Sequence, residues 1–113
     1  MSQISTHVLD LARGRPAAGI PVRLERRAGT VWTELGHGIT DGDGRVRSLL
    51  AAGVIPVAGT HRIHFELEMY FRGYELDAFY PEAAIVFEVR DPAQSFHVPL
   101  LLSPFGYSTY RGS

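Results

Sequence analysis

Apolar and polar residues alternate at every second position along most of this chain, and stretches with the helical period of about 3.6 residues are short. The alternation is clearest at residues 20–24 and 63–67, where one face of the predicted strand is apolar and the other is mostly polar or charged. Turn signals rich in Gly, Pro and Asp separate further predicted strands, which are Ile4–Leu9, Val31–Thr40, Ala84–Arg90, Phe96–Leu102 and Gly106–Arg111.

Residues 68–80 break this alternation, and their apolar members fit one short helix: Met69, Tyr70, Phe71 and Tyr74. About seven or eight short strands with at most one short helix are typical of an antiparallel β-sandwich. A length of 113 residues fits one domain, and no internal repeat or linker divides it. We therefore expect a single all-β domain over residues 1–113.

Strand parity predicts that two histidines lie on the outside of this sandwich. In a two-layer sandwich each strand directs alternate residues into the core. In the first strand Ile4 and every second residue after it are expected to face the core, which leaves His7 outside. In the later long strand the same holds for Phe96 and every second residue after it, which leaves His97 outside. This outer face is too apolar for free solvent, so we expect another subunit to cover it; it also carries Leu9, Pro99 and Leu101.

Cationic and C-terminal residues add to this surface. Because Val46 is expected to point inwards, Arg45 and Arg47 should both point outwards after the turn at residues 41–44. The segment 106–113 is dense in aromatic, hydroxyl and cationic groups, whereas chain ends are usually dispensable. Both features suggest a functional surface.

Composition narrows the chemistry that such a surface can perform. The chain has no Cys, and all 11 of its Lys+Arg residues are Arg. Cysteine nucleophiles, thiolate zinc sites, disulfides, Schiff-base lysines and the phosphate-binding lysine of a P-loop are therefore excluded. What remains is five His, the arginines, the serines and dispersed carboxylates.

The charge pattern argues against two classes of partner. The formal net charge is −1 and the arginines are scattered, whereas nucleic-acid binding needs a clustered cationic face. No window approaches the ~18 uninterrupted apolar residues of a membrane span, and the first twenty residues do not resemble a signal peptide. We expect a cytoplasmic protein that binds neither nucleic acid nor membrane.

Three local motifs favour a structural interpretation. His61 and His64 have opposite parity, so they should point to opposite faces of a strand and form no zinc pair. The segment Asp41–Gly44 resembles the start of a calcium loop but lacks the later oxygen ligands, so a Gly-rich turn is predicted. Ser108 lacks the second Gly and the following helix of a nucleophile elbow.

Several segments together resemble the transthyretin-related family of 5-hydroxyisourate hydrolases. They are THVLD at residues 6–10, Gly14 with Pro16, TDGDGR at 40–45, FHVPLLLSP at 96–104 and YSTYRGS at 107–113. The resemblance runs the whole length of the chain. Its most specific element is the closing YRGS, since transthyretin itself shares the LLSP and YST segments but lacks the histidines and this ending.

The resemblance implies a sandwich of two four-stranded antiparallel sheets with one short helix. It also implies a homotetramer, a dimer of dimers, with active sites at the dimer–dimer interface. By family pattern His7, Arg45, His97 and Ser113 would be catalytic, and His7, Arg45, Tyr110, Arg111 and Gly112 would bind the substrate. The implied reaction is hydrolytic opening of the six-membered ring of 5-hydroxyisourate to 2-oxo-4-hydroxy-4-carboxy-5-ureidoimidazoline in urate degradation, with no metal or cofactor.

A non-catalytic carrier is the alternative, in which the channel between subunits holds a small apolar ligand. Two His and one Arg on the facing surfaces suit a small polar substrate better, because a carrier of aromatic ligands needs an apolar lining. A plain structural β-domain is a third possibility, and exposure of the outer-face histidines in a monomer would support it.

Overall fold

The computed structural model describes residues 3–113, so Met1 and Ser2 of the predicted domain lie outside the described residues. The described part contains nine strands and one helix. In chain order they are β1 (Ile4–Asp10), β2 (Arg15–Pro16), β3 (Pro21–Ala28), β4 (Val31–Ile39), β5 (Arg45–Val46), β6 (Gly59–Glu66), α1 (Glu68–Gly73), β7 (Glu82–Val89), β8 (Phe96–Ser103) and β9 (Gly106–Thr109).

The strands form two sheets. The first has the order β2-β1-β8-β9, with β5 also paired to β1, and the second has the order β4-β3-β6-β7. Two sheets with one short helix confirm the predicted fold class. One detail differs, because β1 and β8 pair in parallel and β5 makes the first sheet five-stranded. Between β1 and β8 the chain forms all four strands of the second sheet, so β1 and β8 are not joined by a hairpin, which would make them antiparallel.

The core lies between the sheets and follows the predicted parity. Residues of β1 and β8 alternate between buried and partly exposed over most of their length. The second sheet contributes every second residue of β6 in the same way. The largest fully buried apolar side chains are Phe65, Phe71, Ile20, Leu24, Leu49, Ile63, Leu67, Leu100 and Leu102. The strand residues of opposite parity therefore lie on the outer faces of the sheets, where they are available for a functional site.

Helix α1 follows β6 and packs on the core, close to where the sequence predicts it. It buries Tyr70 and Phe71. The Tyr70 hydroxyl donates a hydrogen bond of 2.6 Å to Oδ2 of Asp10, a carboxylate that is itself buried. Burial and this hydrogen bond raise the pKa of Tyr70 to about 12, so the pair anchors the helix to β1. No helix within residues 3–113 is long and apolar enough to cross a membrane.

Candidate active site

The outer face of the first sheet brings together the residues that parity placed there. Register pairs His7 on β1 with Arg45 on β5 on one side and with Pro99 on β8 on the other. Ser5 on β1 pairs with His97 on β8. Because residues of one parity share a face, two imidazoles, one guanidinium and one hydroxyl form a compact group on this face.

The turn before β5 positions Arg45. Oδ1 of Asp41 accepts hydrogen bonds from the backbone N–H groups of Asp43 and Arg45, at 2.9 and 3.0 Å. These bonds, that of Arg45 foremost, hold the pKa of Asp41 below its usual value. At Gly44 φ is 77°, and an added β-carbon there would collide with the carbonyl oxygen of Val8. The segment is therefore a tight turn that fastens β5 to β1.

His97 occupies the centre of the group and is half-buried. Its Nδ1 lies 2.8 Å from Oγ of Ser5, which leaves Nε2 as the nitrogen available to a substrate or water. Burial lowers the pKa of His97, and the neighbouring Arg45 guanidinium and His7 imidazole lower it further. At neutral pH the ring is therefore neutral, the state that a general base requires.

Residues after β9 return to this histidine. The backbone N–H of Gly112 donates to the carbonyl oxygen of His97 at 2.7 Å. Gly112 packs so closely on the imidazole that an added β-carbon would lie 2.5 Å from Cδ2 of His97. Only glycine fits here without displacing the ring, which gives this position in the YRGS ending a physical reason.

A cavity of about 360 Å³ opens beside His97. It is lined by Gln3, Ser5, Arg45, Ser95, Phe96, His97, Gly112 and Ser113. A smaller one of about 100 Å³ adjoins it and adds Arg47 to the lining. The lining is mainly polar, and it offers a neutral imidazole beside a guanidinium.

Two predicted residues lie elsewhere in the single chain. Tyr110 and Arg111 line a separate groove of about 240 Å³ against β7. The Arg111 guanidinium lies 4.8 Å from the ring centre of Phe96, and its Nη2 lies 3.2 Å from Oε1 of Gln94. The structure thus groups His7, Arg45, His97, Gly112 and Ser113 but not Tyr110 or Arg111, whose predicted contact with substrate stays a prediction.

Three lining residues were not singled out by sequence reasoning. Ser5 and Ser95 share the outer parity of His7 and His97, so parity offered a signal for them. Gln3 precedes β1, and its backbone N–H bonds to Oγ of Ser95 at 3.2 Å. Their place in the cavity follows from the parallel pairing of β1 with β8.

The other three histidines lie outside this group. His61 is buried and its Nδ1 bonds to the carbonyl oxygen of Gly59 at 2.9 Å. His64 lies on the opposite face of the same strand, as its parity predicts. His37 is exposed and lies 3.0 Å from Oε2 of Glu34.

Fold and site together define a transthyretin-like β-sandwich with a histidine–arginine site on the outer face of one sheet. The solved structure of 5-hydroxyisourate hydrolase from Klebsiella pneumoniae matches with a TM-score of 0.85 at 34% identity, over 100% of both chains. Transthyretin from Sparus aurata matches with a TM-score of 0.89 at 26% identity, over 99% of this chain and 97% of that one. The fold alone does not separate the two kinds of protein.

Sequence comparison gives the family. The family model described as HIUase/Transthyretin family matches residues 4–112, and the chain belongs to this family. The 5-hydroxyisourate hydrolase of Caulobacter vibrioides is 44% identical over 117 residues, which cover 100% of this chain and 100% of that protein.

Proposed function

We propose that this protein is a 5-hydroxyisourate hydrolase, which opens the six-membered ring of its substrate in urate degradation. The observation that carries the proposal is the neutral imidazole of His97 beside Arg45 in a polar cavity. Full-length similarity to hydrolases of that name supports the choice of substrate. The same imidazole and guanidinium argue against an apolar carrier channel.

The proposed reaction is attack of water on a ring carbonyl. His97 takes a proton from the water through Nε2 as its oxygen bonds to the carbonyl carbon, and Arg45 stabilises the resulting oxyanion. The ring C–N bond then breaks, the nitrogen receives a proton from an imidazolium, and the carbonyl carbon becomes a carboxylate. His7, opposite Arg45 in the register, would assist this proton transfer. Ser113 would fix the substrate from the C-terminal side of the cavity.

This mechanism assigns no role to a metal or cofactor. When water adds to a cyclic amide and the C–N bond breaks, the only groups that have to be transferred by the protein are protons. The neighbouring imidazoles can transfer them. We therefore expect turnover to survive dialysis against a chelator. Loss of activity that returns only with added metal would contradict this part of the proposal.

We further propose a homotetramer in which two dimers cover each other's outer faces. The face around the site carries Pro99, which is buried, and Leu9 and Leu101, which are partly buried. Leu11 and Phe105 are 59% and 72% exposed. β7 and β9 end their sheets and could pair with a second chain edge to edge. In such an assembly a neighbour could bring Tyr110 and Arg111 to the substrate.

The activity test uses purified protein and freshly generated 5-hydroxyisourate, with decay of its ultraviolet absorbance compared with the spontaneous rate. We expect acceleration, and a loss of about 10²-fold or more in His97→Asn and His7→Asn, the usual contribution of positioned acid–base catalysis. His37→Asn is the matched control, because His37 is exposed on the second sheet. A wild-type rate equal to the spontaneous one would refute the proposed activity.

Assembly and location need separate measurements. Size-exclusion chromatography with light scattering should give the mass of four chains, and a monomer with exposed outer-face histidines would support a plain structural β-domain instead. Cell fractionation would test the predicted cytoplasmic location.

A further inference from the structure

A second group of ionisable side chains lies on the outer face of the other sheet. His64 and Glu66 are two residues apart on β6 and therefore share a face. Register pairs Glu66 directly with Glu82 on β7 and pairs His64 with the small residue Ala84. Glu82 is thus the diagonal neighbour of His64.

The electrostatics of this group leave negative charge uncompensated. Carboxylates directly opposite each other on paired strands destabilise a sheet. The nearby guanidinium groups of Arg23 and Arg62 are both engaged by Glu25, at 3.4 and 2.8 Å. Among the described residues, the ion-pair partner of Glu82 is His64, and Glu66 has no cationic partner within ion-pair distance. A bound cation would resolve this repulsion.

The distances fit a small divalent ion. The ligand atoms of His64, Glu66 and Glu82 all lie within 4.8 Å of one another. Nε2 of His64 lies 3.4 Å from Oε2 of Glu82. Two ligands about 2.0–2.2 Å from a tetrahedral zinc ion are roughly 3.4 Å apart, so this pair already spans one edge of such a site.

Burial also suits a binding site that is open on one side. The His64 side chain is only 12% exposed, which fixes the imidazole, whereas that of Glu82 is 58% exposed and leaves a path to solvent. The partly buried Glu66 has a flexible side chain that can close the remaining distance.

We propose that His64, Glu66 and Glu82 form a zinc-class divalent cation site, separate from the candidate active site. One imidazole nitrogen and two carboxylate oxygens would coordinate the ion, with water in the fourth position. This donor set suits zinc better than magnesium or calcium, which favour all-oxygen ligands. The ion would link the edge strand β7 to β6, so binding should stabilise the fold. His61 remains excluded, since it points into the core.

The test measures zinc binding by isothermal titration calorimetry in a His7→Asn/His97→Asn background, which removes the active-site imidazoles as competing ligands. We expect about one zinc per chain and a rise in the melting temperature with zinc but not with magnesium. His64→Gln should abolish both effects. His37→Gln is the matched control, since His37 lines the same face of the sheet outside the ligand group.

Glu82→Gln covers the case in which the His64 variant folds poorly, because Glu82 is exposed and tolerant of change. This variant should bind zinc at least about tenfold more weakly while its metal-free form melts no lower than the background, since one like charge is gone. No zinc binding in the background protein, or unchanged binding in both ligand variants, would overturn the proposal. The proposed hydrolase activity is tested separately, on the wild-type protein, so either result would leave that proposal standing.

Discussion

Replacing Gly112 by alanine should disable the candidate site while the fold stays intact. The added β-carbon would lie 2.5 Å from Cδ2, 3.2 Å from Cγ and 3.3 Å from Cβ of His97. Carbon atoms in good contact are about 3.5–4.0 Å apart, so the imidazole has to move by roughly 1 Å. Such a shift also strains the 2.8 Å contact between Nδ1 of His97 and Ser5.

The expected loss is large because catalysis depends on geometry. A misplacement of about 1 Å can cost on the order of 10²-fold in rate, and we expect kcat to fall by about that factor. Stability should change by less than the ~1–3 kcal/mol typical of overpacking in a core, because Gly112 follows the last strand at the surface.

The assay follows decay of 5-hydroxyisourate absorbance for wild type, Gly112→Ala and the control Gly106→Ala. At Gly106 an added β-carbon would find its nearest neighbour, Oγ of Ser103, at 3.9 Å, which is ordinary contact. Both variants should keep the wild-type circular dichroism spectrum. Wild-type turnover in Gly112→Ala would show that the contact with His97 does not position the reacting imidazole.

Three further predictions concern the residues around the site and core. Ser5→Ala should lower kcat roughly three- to tenfold, which corresponds to the free energy of one hydrogen bond, and should change the pH profile of kcat. Ser5→Thr should restore both kcat and the profile. An unchanged pH profile in Ser5→Ala would show that Ser5 does not position His97. Tyr70→Phe removes a donor from the buried Asp10 carboxylate and should lower the free energy of unfolding by about 1.5–3 kcal/mol in urea titrations; no loss would mean that water replaces the hydroxyl. Burial lowers the pKa of His61, so the unfolded chain takes up this proton first as pH falls. The contribution of neutral His61 to the free energy of unfolding is complete above pH ~6.5 and is lost as pH drops through the folded pKa, by at most about 1.4 kcal/mol per pH unit. If the free energy of unfolding of a His61→Gln variant fell with the same slope as that of the wild type, this prediction would be wrong.

Local pattern was sufficient to place the principal candidate residues. Because side chains of a strand alternate strictly, burial of Ile4 and Phe96 leaves His7 and His97 on the outer face. The same reasoning places His61 and His64 on opposite faces. The turn at residues 41–44 was readable from its Asp and Gly content, since few other residues adopt that geometry. The direction in which β1 meets β8 was not readable, and the expected antiparallel pairing was wrong there.

Alternation, turns and a short apolar helix are consequences of chain sterics and burial over a few neighbouring residues, so the sequence alone determined the sandwich and the parity of its histidines. Proximity depends on register between distant strands, which local sterics do not set. The contact between Ser5 and His97 joins residues 92 positions apart in the sequence. The pairing of Glu66 with Glu82 depends on the register between β6 and β7. Only the tertiary structure decided which polar residues lie close enough to act together.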